Sequence, residues 1–259
     1  MMVHKGSIGF RLKADIDPVE AGVALFLALF LGHLLGDFVF QPGRLVVAKR
    51  HGLRGMVLHT GIVTACTMVV LLGQIARFWP AVIMAALAHF GIEHLSVAAR
   101  RIKEASGLAL FLLDQALHIV SLTIIAIVMG SAGEPIIVIW STSIAIMAAA
   151  CGVVAVAFFG SILAFEVRVV ALGDDAPQEP ILRLDLQRAY GFAERAGALI
   201  VGLVAPVPGL AVLVFLPRAA YAFALPPAGR ARQMTDAAVG FVLCVIAWAL
   251  IVMLVIAGF

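Results

Sequence analysis

Charge is scarce in this chain. Asp, Glu, Lys and Arg make up 13% of its 259 residues, against 63% hydrophobic residues and a mean hydropathy of +1.12. That balance excludes a soluble globular protein, and a formal net charge of only +3 gives no basic surface of the kind that binds nucleic acid. Cysteine is equally sparse. Cys66, Cys151 and Cys244 stand singly inside apolar runs with no CxxC spacing, which excludes a disulfide framework and a thiolate metal site. Short segments of alternating apolar and polar residues are missing, so a transmembrane β-barrel is excluded as well. No small-residue cleavage site follows the first apolar run, which is therefore read as a retained span and not as a signal peptide.

What the chain does have is long apolar runs. A helix needs about 20 apolar residues to cross a bilayer, and the spacing of the runs predicts an all-α polytopic membrane protein with about eight transmembrane helices. The expected spans are 19–41, 56–76, 80–99, 108–129, 136–170, 186–204, 209–224 and 235–257, broken by Pro42-Gly43, Pro206, Pro208 and Pro226-Pro227. They divide into an N-terminal four-helix bundle over residues 1–132 and a C-terminal four-span region over residues 133–259, with the polar stretch around Asp174, Asp175, Pro177 and Pro180 as an exposed linker. Most Lys and Arg fall in the loops after spans one, three, five and seven. The positive-inside rule then puts those loops in the cytoplasm and both termini outside a bacterial inner membrane.

A few polar residues interrupt the apolar spans. His33 and Asp37 stand one helical turn apart near the end of span one, and His59 opens span two. His89 and Glu93 close span three, and Asp114 and His118 open span four, each pair again at i, i+4. Ionisable side chains inside a membrane are costly unless they face one another, and up-down connectivity brings all of these to one depth on the cytoplasmic side. Imidazoles and carboxylates without thiolates suit Zn first, with Mn or Fe as alternatives, and the set is large enough for two ions bridged by a carboxylate. Gln41 and Gln115 are expected to donate hydrogen bonds that orient the ligands. Gly32 and Gly36 allow a neighbouring helix to come close to the His33–Asp37 face. Arg44, Lys49, Arg50, Arg100 and Arg101 form basic loops suited to anionic lipid head groups. His4, His51 and His94 are read as peripheral, and Glu194, Arg195 and Arg218 as a buried ion-pair group between spans six and seven.

The run His33-Leu-Leu-Gly-Asp37-Phe-Val-Phe-Gln41, with Lys49-Arg50, His59, His89-Phe90 and Phe111-Leu-Leu-Asp114-Gln115-Ala-Leu-His118, resembles the bacterial membrane family catalogued as domain of unknown function 3307. Glu93 stands where that family's pattern has Asp, a ligand of shorter reach. The likeness covers the first four spans and, more weakly, the Gly191-Phe-Ala-Glu194-Arg195 stretch and the last span. More distantly the pattern is similar to membrane-bound metal-dependent hydrolases. Taken with the residues, this sets the expected function: hydrolysis of a lipid or lipid-linked phosphoester at a divalent metal, with Glu93 or Asp37 as general base. A metal-ion or proton-coupled transporter using the same residues is the alternative, and a non-catalytic scaffold a further one.

Overall fold

The computed structural model describes residues 18–100, 107–130, 144–173 and 186–259. Among these residues all regular structure is helical, with no strand. The helices are α1 (Pro18–Leu34), α2 (Gly43–His51), α3 (Leu53–Val70), α4 (Ile75–Ala99), α5 (Gly107–Gly130), α6 (Ile144–Val154), α7 (Gly160–Leu172), α8 (Leu186–Val204), α9 (Leu216–Phe223) and α10 (Pro227–Ile256). A π-helical turn, Leu35–Val39, prolongs α1, and a second, Ala155–Phe159, joins α6 to α7. A 3-10 segment, Pro208–Phe215, leads into α9.

Among the described residues, six helical stretches are long and apolar enough to cross a membrane: Pro18–Val39, Leu53–Val70, Ile75–Ala99, Gly107–Gly130, Ile144–Leu172 and Pro227–Ile256. This reduces the expected eight. Helix α8 has the length but carries Arg188, Glu194 and Arg195, and the apolar stretch Pro208–Phe223 is short and split between 3-10 and α geometry.

Local chemistry accounts for the boundaries that differ from the sequence reading. Span two stops at Val70 instead of Ala76 because Gly73 takes φ +91°, a left-handed conformation open to glycine, and turns the chain into α4. The last span starts eight residues early because Pro227 is well placed in a first helical turn, where a missing N–H costs nothing. The basic loop after span one is a short helix, α2, anchored by buried Leu45 and Val46. It lies on α3 at Gly55, where a Cβ would sit 2.3 Å from the carbonyl carbon of Ala48. Only glycine tolerates that approach.

Helix α1 is the central post. It is the most buried of the six spans, with Leu25, Ala28 and Leu29 at no more than 1% exposure. Helix α3 packs against it at Gly32 and Gly36, and α5 crosses it where Gly130 meets Gly22. Small residues at these crossings are what lets helices associate where lipid supplies no hydrophobic drive. One hydrophobic core runs from Leu29 in α1 through Ala148 and Cys151 in α6 to Leu199 and Cys244 in α8 and α10, so the two halves pack as one body. Large apolar side chains such as Leu58, Leu87, Ile127 and Met253 point outward, as lipid contact requires. The expected boundary at residue 132, the linker around Asp174, and the N-terminal tail lie outside the described residues.

The helix ends set a sidedness. Gly107, at the start of α5, abuts Glu166 near the end of α7, and Arg168 pairs with Asp236 near the start of α10. These ends therefore share one face with the end of α4. The positive-inside rule sets the expectation that this face is cytoplasmic. Single cysteines at Arg44 and Arg230 should react with an impermeant maleimide only from the cytoplasmic side, and one at Leu72 only from the other. Labelling of all three from one side would contradict the arrangement.

Candidate metal centre

Four helices bring the polar residues of the spans together. His33 is in the last turn of α1, and Asp37 lies in the π turn that follows. A π turn inserts one residue relative to the α ladder, and here Gly36, Asp37 and Phe38 are all buried within it. Gln41 Nε2 donates to the Asp37 carbonyl at 2.8 Å and so holds the end of this turn. It grips the main chain and not the carboxylate.

Helix α3 contributes His59, fully buried, because Gly36 opposes Val63 one turn further along the same helix. Helix α4 contributes His89 and Glu93, and α5 contributes Asp114 and His118. None of the seven residues is more than 8% exposed. The His33 and His118 rings lie 4.5 Å apart between centroids, His89 and His118 4.6 Å, and His59 and His89 5.0 Å.

The closest contacts centre on His59. Its Nε2 lies 3.0 Å from His89 Nε2, 3.1 Å from Asp37 Oδ1 and 3.6 Å from Glu93 Oε1. One ring nitrogen has at most one proton and cannot serve three acceptors. Ligands about 2.1 Å from a tetrahedral Zn are about 3.4 Å from one another, which is the spacing seen here. Donor atoms of Asp37, His59, His89 and Glu93 all lie within 4.8 Å of each other, as do those of Asp37, Glu93, Asp114 and His118, and those of His33, His89 and His118.

Several of these atoms lack a hydrogen-bond partner. Among the described residues, His33 Nε2 and His118 Nε2 are buried with no hydrogen-bond partner, and Asp37 Oδ1 has only the contested His59 Nε2. Leaving one such group unpaired costs about 1 to 3 kcal/mol, and two unpaired imidazole nitrogens in one ligand-spaced group are a pattern a bound cation would resolve. The void that His33, His89 and His118 line measures about 10 Å3, the scale of one ion or water.

Two residues at the site were not legible as members of it. Lys49 was grouped in sequence with the loop cations, but the α2–α3 contact at Gly55 turns it inward, and its Nζ is 2.7 Å from Glu93 Oε1. Ser96 Oγ donates to Asp114 Oδ1, beside Gln115 Nε2, which donates to Asp114 Oδ2 at 2.9 Å. Ser96 lies three residues beyond Glu93 on the same helix, and that spacing was the available signal. Arg44, Arg50 and Arg100 are exposed at the face where α1 and α4 end, and Arg101 lies outside the described residues. Although Arg50 reaches solvent, protein packed around part of its side chain and the neighbouring Arg100 charge hold it below the ordinary guanidinium pKa. His51 and His94 are exposed, and His4 lies outside the described residues.

The fold and the cluster together define an all-helical protein with membrane-spanning helices and a buried His/carboxylate centre near one end of its first four spans. Residues 25–147 match the model of the family described as "Protein of unknown function (DUF3307)", a stretch just short of half the chain that contains all seven residues. The match supports the resemblance seen in the first four spans, and nothing found supports the more distant likeness to metal-dependent hydrolases. No curated protein and no solved structure matches the chain.

Proposed function

We propose that the protein is a metal-dependent enzyme of the bacterial inner membrane, with one divalent ion held by residues from among His33, Asp37, His59, His89, Glu93, Asp114 and His118. The observation that carries this reading is the convergence of buried donor atoms that have no hydrogen-bond partner. Formal charge supports one ion over two. Asp37, Glu93 and Asp114 bring three negative charges, Lys49 returns one positive charge, and imidazoles that ligate are neutral. The remaining two negative charges, dry and crowded, match a single divalent cation. Zn fits the nitrogen and oxygen set at this spacing, with Mn or Fe as alternatives.

The reaction we assign is hydrolysis of a lipid or lipid-linked phosphoester at the cytoplasmic side. A bound divalent ion lowers the pKa of its water and polarises a phosphoryl oxygen. Glu93, between Lys49 and His59, is placed to take a proton, and Lys49 to steady the carboxylate. Arg44, Arg50 and Arg100 would hold anionic head groups at the mouth. The test is phosphate release from phosphatidate in mixed micelles. Activity should vanish on chelation and return with Zn. Hydrolysis that chelators leave untouched, or none with fully loaded protein, would overturn the assignment. The ion-sized void favours a transporter as the second reading, in which case metal uptake into proteoliposomes would appear without hydrolysis.

Lys49 yields a prediction of its own. An ammonium ion bonded to Glu93 competes with a cation for that carboxylate, so Lys49→Gln should tighten Zn binding several-fold in a competition titration with a chelator. Weaker binding would mean that Lys49 supports the site by packing instead.

A further inference from the structure

A second polar cluster, in the C-terminal half, takes no part in the metal centre. Arg195 and Arg218 are each 3% exposed, and Glu194 is 4% exposed. Arg218 is well paired. Its Nε donates to Glu194 Oε2 at 2.7 Å and its Nη1 to Gln233 Oε1 at 2.7 Å, and Asp236 Oδ2 lies 3.5 Å away. Asp236 also receives Arg168. The expected ion-pair group is thus Glu194 with Arg218, and Arg195 does something else.

Arg195 Nε and Nη2 donate to the Val156 and Ala157 carbonyls, at 2.7 and 2.9 Å. These belong to the π turn between α6 and α7, where the inserted residue leaves main-chain oxygens off the α ladder. Carbonyls satisfy the hydrogen bonds of a guanidinium but not its charge. Among the described residues Arg195 has no ion pair, so its charge rests on main-chain carbonyls alone. A buried, unpaired charge is costly.

The molecule builds a place for that charge. A Cβ on Gly160, Gly191 or Gly240 would come within 3.1 to 3.2 Å of Arg195 side-chain atoms, so glycines from α7, α8 and α10 form its slot. At Gly191 the same Cβ would sit 3.2 Å from Arg195 Nη1 and 3.4 Å from Arg218 Nη2. Neither of these two N–H arms has a hydrogen-bond partner among the described residues. They border a cavity of about 130 Å3, lined also by Arg168, Arg188 and Asp236, with room for a group several times the size of a water.

We propose that this cavity is an oxyanion site that takes a singly charged phosphate group, either the phosphodiester of a lipid head group or free inorganic phosphate. Side-by-side guanidinium arms are the preferred recognition geometry for such a group, and a monoanion gives Arg195 the ion pair it otherwise lacks. The site is separate from the metal centre and does not depend on it.

The test uses the full chain. Inorganic phosphate is titrated calorimetrically into protein in neutral detergent, and native mass spectrometry compares lipid retained from nanodiscs of phosphatidylglycerol with that from phosphatidylcholine. Two variants accompany wild type. Arg188→Gln removes a cation at the cavity edge, and Gly191→Ala places a methyl between the two guanidinium arms, which as side-chain ends can yield without disturbing the backbone. Wild type should bind phosphate, or retain phosphatidylglycerol over phosphatidylcholine, with both variants weakened by roughly tenfold, the scale of one charge-assisted hydrogen bond. Metal content should not change. Phosphate binding without lipid preference identifies the free anion, and lipid preference without phosphate binding identifies the head group. Binding of neither probe, or binding that both variants leave intact, would overturn the site.

Discussion

Asp37→Asn should strip the metal and spare the fold. Asparagine keeps the size of the side chain and its ability to meet His59, 3.1 Å away, but removes the charge that offsets a divalent cation. Loss of a group supporting a metal costs about 10 to 100-fold in affinity, and loss of a ligand at least as much. Stability in metal-free buffer gives the sharper reading. With no ion present, Asp37 and Glu93 both approach His59 Nε2, and their mutual repulsion opposes folding. Removing one charge should leave the thermal midpoint unchanged or raise it. A structural ion pair between Asp37 and a protonated His59 would behave in the opposite way, because breaking a buried pair strands its partner at a cost of about 3 to 5 kcal/mol. An unstable variant with undiminished metal binding would refute the ligand role.

Gly36→Ala should damage the same centre without touching any donor atom. The added Cβ would fall 2.5 Å from Val63 Cα and 2.8 Å from Val63 Cγ2, and a main-chain atom cannot yield without moving α3. His59 lies one turn before Val63, so α3 carries it away from Asp37. Overpacking of this kind costs about 1 to 3 kcal/mol, and misplacement of one imidazole should lower metal affinity as well. Gly91→Ala is the control. Gly91 sits between His89 and Glu93 on α4, and its Cβ would meet nothing within 4 Å. That substitution should leave metal binding unchanged and add up to about 1 kcal/mol of helix propensity. Equal behaviour of the two variants would show that the α1–α3 approach does not set the site.

The contrast between these glycines shows what could be read from the sequence. Gly32 and Gly36, four apart beside His33 and Asp37, announced a close helix neighbour, and that neighbour is α3. The gathering of His33, His59, His89 and His118 follows from i, i+4 spacing and alternating span direction, both of which are written along the chain. Lys49 was misread because its position depends on a contact between α2 and α3 at Gly55, and nothing near Lys49 in sequence signals that contact. The π turns were invisible for a related reason. Ala155–Phe159 is an apolar stretch of ordinary helical composition whose carbonyl is held by distant Arg195, and in Leu35–Val39 the Gly36-Asp37 pair reads equally well as α-helix, the turn being closed by the local Gln41 bond. Span counting failed where composition was mixed. Apolar residues of α8 suggested a crossing, while its charged face serves the Arg218–Glu194 pair.

The two clusters are close neighbours through their π turns. Phe38, next to Asp37, packs edge-on against Phe159 with ring centroids 5.9 Å apart, and Phe111 stacks on the same ring at 5.2 Å. Phe159 closes the turn whose carbonyls Arg195 holds. This aromatic group links the candidate site in the first four spans to the C-terminal helices.

The central claim is that the buried histidines and carboxylates hold a metal ion. The direct measurement is elemental analysis of purified wild-type protein, by inductively coupled plasma mass spectrometry after exhaustive dialysis against metal-free buffer. One equivalent of a divalent transition metal per chain, with Zn the first expectation, and its loss in Asp37→Asn would bear the account out. Wild type that carries no metal and binds none on reconstitution with Zn, Mn or Fe would contradict it.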